Sequence, residues 1–171
     1  MWLTGEAMTI GLEVRTAVFD DLEAVVGWFR SLEELRAFAG KSMTWPASAA
    51  SLMRFQETNS LTAKVVTLVP EVEPIGHFDL RETERTLHLG RLAVSPTWRR
   101  RGVGRFIVRH VKSLFIESMH EKLTLNVDLR NLPARNLYVS EGFVDVTTND
   151  GISMMAYGST RDSAGRLQRD L

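Results

Sequence analysis

Between Leu87 and Leu129 the chain runs strand, basic turn, helix, strand, and this order leaves few architectures open. Val103, Phe106, Ile107, Val111, Leu114 and Phe115 recur at three- and four-residue spacing. They fall on one face of a helix over Gly102–Met119, with Arg105, Arg109 and Lys112 elsewhere on it. A helix with one apolar face must bury that face. The strand candidates Leu87–Val94 before it and Lys122–Leu129 after it supply the sheet it crosses.

The flanking segments extend the same plan. Leu12–Thr16 reads as a first strand. Asp20 or Asp21 then offers an acceptor to cap a helix carrying Leu22, Val25, Val26 and Phe29. A second helical stretch, Leu32–Phe38, ends at Gly40, and Trp45-Pro46 opens a third that includes Ala49, Leu52, Met53 and Phe55. Leu61–Val69 is rich in β-branched residues and reads as a strand. Ile75–Glu82 pairs antiparallel with Leu87–Val94 through the polar connection Thr83–Thr86. Leu132–Ser140 is a short helix ended by Gly142, and Phe143–Thr147 and Ile152–Tyr157 form a last strand pair around Asn149-Asp150-Gly151. The expectation is a mixed α/β (α+β) fold, with a mostly antiparallel twisted sheet of about seven strands flanked by about four helices. A length of 171 residues suits one domain, placed at 8–158, with an N-terminal extension at 1–7 and a polar C-terminal tail at 159–171.

Composition removes several functions. Twenty-one basic residues balance twenty-one acidic ones, which argues against a surface devoted to nucleic acid or an anionic membrane. The chain has no cysteine, so a thiolate nucleophile, a disulfide and any cysteine-ligated zinc or iron–sulfur site are excluded. His77, His88, His110 and His120 show no metal-ligand spacing, and no metal is expected. There is no run of about 18 apolar residues, and Met1–Met8 lacks the basic and apolar regions of a secretory signal, so a cytoplasmic location is expected.

The chemistry concentrates at Leu92-Ala93-Val94 and the turn Arg99-Arg100-Arg101-Gly102-Val103-Gly104, where a strand end, a basic loop and a helix start follow one another. A helix N-terminus offers unpaired N–H groups and partial positive charge, glycines admit a phosphate close to the backbone, and arginines add charge-assisted bonds. The spacing excludes two better-known phosphate loops. A Walker loop needs a Lys-Ser/Thr pair where this chain has Arg105-Phe106, and the third glycine of a dinucleotide fingerprint would fall at Ile107.

This strand, turn and Arg99-x-x-Gly102-x-Gly104 pattern resembles the acetyl-coenzyme A signature of the GNAT family of N-acetyltransferases. Downstream, Asn131-x-x-Ala134-x-x-Leu137-Tyr138 followed by Gly142-Phe143 is similar to that family's second motif. The resemblance implies a GNAT-type domain whose splayed strands form an acyl-CoA cleft. It also implies acetyl-CoA as co-substrate and a pyrophosphate cradled by backbone amides from Arg100 to Arg105, with Arg99 fixing the loop. The pantetheine arm would pair with the strand Leu92, Ala93 and Val94, and Asn131 and Ala134 would border it from the other side. Tyr138 occupies the place of the family tyrosine that protonates or hydrogen-bonds the departing thiolate. His88 stands where several members carry a catalytic Glu or His, and an ordinary histidine pKa of about 6.5 suits a base. Glu82 and Glu84 are alternatives.

Without cysteine, and with no Gly-x-Ser-x-Gly elbow, direct attack of an amine on the thioester in a ternary complex is the simpler route. The acceptor is an amine of a small molecule or a protein, bordered by candidates Phe29, Glu33, Glu34, Phe38, Trp45 and the Asn149–Ile152 turn. The protein is expected to be a monomer or homodimer, with no membrane or nucleic-acid partner. Two other classes stay open: a catalytically silent acyl-CoA sensor, and a nucleic-acid binder using Arg99–Lys112.

Overall fold

The computed structural model describes residues 11–161 and 167–169; the extension expected at 1–7 lies outside them. In chain order the elements are β1 (Leu12–Thr16), α1 (Phe19–Val26), α2 (Leu32–Ala39), α3 (Ala49–Thr58), β2 (Thr62–Leu68), β3 (Pro74–Glu82), β4 (Thr86–Val94), α4 (Val103–Glu117), β5 (Lys122–Asp128), α5 (Leu132–Ser140), β6 (Phe143–Asn149) and β7 (Ile152–Tyr157). They build one seven-stranded sheet in the order β1-β2-β3-β4-β5-β7-β6. Only β4 and β5 run parallel, joined by α4 as the crossover; every other neighbour in the sheet is antiparallel. Within the stretch read as a polar tail, β8 (Ser159–Arg161) pairs with β9 (Leu167–Arg169) in a separate ribbon.

β3 lies inside the sheet and is buried from Pro74 through Leu80, because both faces of the sheet are covered. One face takes α4, whose Val103, Ile107, Val108, Val111 and Phe115 pack with Phe78, Leu123, Leu125 and Phe143. Each such side chain stabilises the fold by roughly 1.5–3 kcal/mol on leaving water, so this helix anchors the domain. A second core gathers Leu22, Val25, Phe29, Leu35 and Leu52 from the α1–α3 region.

Two helix starts differ from expectation. α1 begins at Phe19, and Asp21 sits inside its first turn, accepting the Val18 N–H at 2.8 Å and both guanidinium nitrogens of Arg15 at 2.6 and 2.8 Å. The carboxylate therefore closes the turn from within rather than from the cap. α3 begins after Trp45-Pro46, at Ala49, because Ser48 Oγ accepts the Ser51 N–H at 3.1 Å and fixes the start there.

One irregularity places the functional region. His77 pairs with Ala93 and Asp79 with Gly90, so Arg91 and Leu92 together oppose the single residue Phe78. This is a β-bulge, and Arg91 takes the rare left-handed backbone at φ 43° to make it. The bulge turns the second half of β4 away from β5. Their pairing stops at Leu89 with Leu125, leaving Gly90–Val94 and Asn126–Asp128 facing each other unpaired.

Candidate active site

Where β4 and β5 part, a cavity of about 840 Å³ opens, bounded by the two strands, the start of α4 and one side of α5. At its basic end Arg99 Nε donates to Val94 O at 3.3 Å, tying the turn back to the strand. Arg100 and Gly102 both adopt left-handed backbone, at φ 63° and 88°. Gly102 begins α4 without a side-chain cap, and the first intrahelical bond is donated by Phe106 to Gly102 O at 2.9 Å. The N–H groups of Val103, Gly104 and Arg105 are thus the helix's unclaimed donors. A Cβ on Gly104 would stand 3.3 Å from Leu137 Cδ2, so glycine lets α4 approach α5 closely.

Leu92, Val94, Arg99, Arg100, Gly102, Gly104, Arg105, Asn131, Ala134 and Tyr138 line this cavity; Ala93, Arg101 and Val103 do not. The strand pleat turns Ala93 to the opposite face, against the α1–α3 core. Val103 is core, and Arg101 lies over the Trp98 ring at 5.2 Å. The basic stripe beyond the turn has another use. Arg105, Arg109 and Lys112 converge on Glu141, with nitrogen–oxygen distances of 3.0, 3.1 and 3.3 Å, and clamp α4 to the end of α5. Burial pushes the Glu141 carboxyl up, but Arg109 and Lys112 hold it below the usual carboxylate range. Asn131 Oδ1 accepts the Ala134 N–H at 3.3 Å and so is committed to capping α5.

Tyr138 is buried, tilted against Phe143 at 6.0 Å between ring centroids. Its hydroxyl makes no hydrogen bond among the described residues, and burial pushes its pKa up to about 12. It is therefore a neutral donor at any physiological pH.

A second cavity, about 390 Å³, shares Phe38, Gly90, Arg91, Asn126 and Asp128 with the first and extends past His88 toward Arg36, Phe55 and Arg81. His88 is half-buried, and its Nδ1 engages Thr124 Oγ1 at 2.9 Å. Burial, followed by the charges of Arg81 and Arg91, lowers its pKa to about 4, well under the ordinary value expected from sequence. Glu82 and Glu84 are exposed at the hairpin end and line neither cavity, because β3 has by then run past the covered part of the sheet. Of the acceptor-side candidates, Phe38 and Ile152 line the second cavity. Phe29 lies in the core, stacked on Phe38 at 4.6 Å. Glu33, Glu34 and Trp45 line neither cavity; Glu34 accepts the Arg30 N–H at 2.8 Å. Asp150 pairs with Lys41 at 2.9 Å outside the cavity.

The wall between the cavities rests on residues that motif reading missed. Arg91 Nη1 contacts the fully buried Asp79 at 3.1 Å, and its guanidinium lies 3.8 Å over the Phe55 ring. Gln56 donates to Asp79 at 2.9 Å, and His77 Nδ1 meets Arg91 O at 3.1 Å. Burial raises Asp79 against the pull of His77 and Arg91, and burial keeps His77 neutral. The available signal was Asp79 itself, a carboxylate inside an apolar strand run, which demands a partner.

Among the described residues no helix is long and apolar enough to cross a membrane, and no group of three or more metal-ligating side chains comes together. A sequence model of the acetyltransferase (GNAT) family matches residues 24–143. No curated protein matches the chain. Among solved structures, the PaiA N-acetyltransferase of Thermoplasma acidophilum, in complex with coenzyme A, is similar at 17% identity and TM-score 0.67, over 85% of this chain and 98% of that one. The spermidine N-acetyltransferase of Vibrio cholerae, in complex with CoA and spermine, is similar at 18% identity and TM-score 0.67, over 85% and 94%. The ribosomal-protein-S18-alanine N-acetyltransferase of Escherichia coli is similar at 23% identity and TM-score 0.64, over 85% and 92%. At these identities the likeness is one of fold.

Proposed function

This chain belongs to the acetyltransferase (GNAT) family, and from that membership we propose that it is an acetyl-CoA-dependent N-acetyltransferase that passes the acetyl group directly to a primary amine in a ternary complex. The observation that carries the reading is the parting of β4 and β5 into a cleft with a cationic, glycine-bearing turn at one end and a second cavity at the other. The residues present fit the co-substrate. The turn offers uncapped helix donors and arginines for phosphate groups, and the unpaired edge of Gly90–Val94 offers main-chain groups to an extended arm. The neighbours solved with CoA, one of them also with spermine, support the same division into a CoA site and an amine site.

Acetyl-CoA supplies an activated acyl group: the amine nitrogen bonds to the carbonyl carbon, the carbon–sulfur bond breaks and CoA leaves as the thiolate, while the amine proton passes to His88 and from there to solvent, which returns a proton to the released thiolate. Tyr138 meets the leaving sulfur with its unpartnered hydroxyl. A thiol of pKa ~8.5 is a stronger acid than this phenol by roughly 5 kcal/mol, so Tyr138 stabilises the thiolate by hydrogen bonding and keeps its own proton. His88, a weak base with its Nε2 left free by Thr124, accepts the amine proton only as the new carbon–nitrogen bond makes that nitrogen acidic. Backbone N–H groups beside Val94 would meet negative charge on the carbonyl oxygen.

The test is acetyl-CoA with a panel of primary amines, following free thiol. Saturable release with intersecting double-reciprocal plots is expected; parallel plots would indicate an acyl-enzyme and contradict direct transfer. One observation favours the second reading, a non-catalytic acyl-CoA-binding module: Asp128, the one carboxylate lining the cavities among the described residues, is held by Arg130 at 2.6 Å. Tight acetyl-CoA binding without thiol release across the panel is the result that module predicts.

A further inference from the structure

The second cavity has a charge character that the proposed function leaves unused. Arg36 projects from α2, Arg81 from the end of β3 and Arg91 from the bulge, and all three line one cavity of about 390 Å³, room for a ligand of amino-acid or dipeptide size. The side chains of Arg36 and Arg81 make no hydrogen bond or ion pair among the described residues. Arg91 is the inner wall, and its Nε is buried without a partner. The carboxylates nearby are spent. Asp79 lies behind Arg91 and is bonded to it, and Asp128 is held by Arg130.

The usual seats for a cation are also taken. The Phe55 face is covered by the Arg91 guanidinium at 3.8 Å, and the Phe38 face is stacked on Phe29 at 4.6 Å. A polycationic amine entering here would meet three arginines against the one carboxylate of Asp128, itself paired with Arg130, and two aromatic rings each already stacked on one side.

Resting on the reading of the chain as an N-acetyltransferase, we infer that its acceptor is a small amine that also carries a carboxylate or a comparable anionic group, gripped by Arg36 and Arg81 beside the wall formed by Arg91. The arrangement does two things at once. Arginines bind carboxylates through paired, charge-assisted hydrogen bonds. The same positive charges disfavour the protonated form of the acceptor's amine, so more of it arrives as the free nucleophile. This lightens the demand on His88, whose lowered pKa makes it a poor base for an ordinary alkylammonium.

The experiment saturates the protein with CoA and titrates in the N-acetyl derivatives of glycine, leucine, phenylalanine and glutamate, each beside its carboxamide, with N-acetylspermidine as the polycation. At least one acid is expected to bind about tenfold more tightly than its amide, with the preference collapsing at high salt. Arg36→Glu and Arg81→Glu should each erase most of that preference while the affinity for CoA stays as it was. The inference is overturned if no acid outbinds its amide, if N-acetylspermidine binds most tightly, or if the preference survives both substitutions. CoA titrated alone separates this from the proposed function. If CoA fails to bind while the acids do, the transferase reading falls and the anion site stands; if CoA binds and the acids show no preference, the inference falls alone.

Discussion

The two cavities that meet at Gly90 and Arg91 are built from different materials. The larger is made chiefly of backbone: a strand edge released by a bulge, a left-handed turn at Arg100 and Gly102, and an uncapped helix start. The smaller is made of side chains from separate elements, with Arg36, Phe55, Arg81, His88 and Arg91 brought together only by the folded sheet. A backbone site binds a group that never varies and tolerates side-chain change around it. A side-chain site can be retuned residue by residue, which suits the part of an acyltransferase that selects the acceptor.

The largest effect should come from the buried support of the side-chain wall. Asp79→Ala strands the Arg91 guanidinium beside Phe55 without its counter-charge, and a loss of about 3–5 kcal/mol in unfolding free energy is expected from denaturant titration. A loss below about 1 kcal/mol would mean that water reaches Arg91 and that the wall is not a packed device. Tyr138→Phe comes next. Turnover should fall about 10–100-fold while acetyl-CoA affinity changes little, since the proposed role of the hydroxyl is confined to the departing sulfur. Unchanged turnover removes Tyr138 from the chemistry.

Gly102→Val addresses the backbone cavity. The left-handed residue costs roughly 1–2 kcal/mol with a β-carbon, so acetyl-CoA affinity should drop about tenfold by calorimetry. Arg101→Ala beside it, with its guanidinium over Trp98, should change that affinity less than about twofold. The reverse ranking would show that side-chain charge, not backbone shape, holds the cofactor.

His88 gives the most pH-selective effect. Its folded pKa of about 4 lies below the ordinary 6.5, so between those values the unfolded chain binds the proton and the folded one does not. Stability therefore falls as pH drops from about 6.5 to 4, by roughly 2 kcal/mol for this half-buried group, and is level above that window. Thermal melts of His88→Gln should show a shallower acid-side slope, with burial-lowered His77 and His110 left to contribute the remainder; an identical slope would place the titration in those two.

The same contrast explains what could be read from the chain beforehand. Most strands and the main helix were legible because their apolar periodicity answers directly to burial, as in Val103, Ile107, Val111 and Phe115. The cofactor turn was legible because glycines at 102 and 104 and arginines around them report a local backbone demand. The acceptor cavity was not. Glu33 and Glu34 were candidates for the acceptor's border, yet α2 presents Arg36, Ala37 and Phe38 to the cavity instead. Nothing local in Arg91 announces a bulge, since its left-handed backbone is imposed by the surrounding network of Asp79, Gln56 and His77. His88 was found by position, but its lowered pKa depends on Arg81 and on burial that only the fold creates.

On the proposed function, backbone groups along Gly90–Val94 and at the start of α4 receive acetyl-CoA, and amide chemical shifts of the labelled protein report this contact. Titration with acetyl-CoA should move the amides of Leu92, Val94 and Gly102 through Arg105 first and furthest, leaving those of β1 and β2 in place. Saturation with acetyl-CoA that leaves these amides unmoved, or that shifts a different surface, would put the cofactor elsewhere on the molecule.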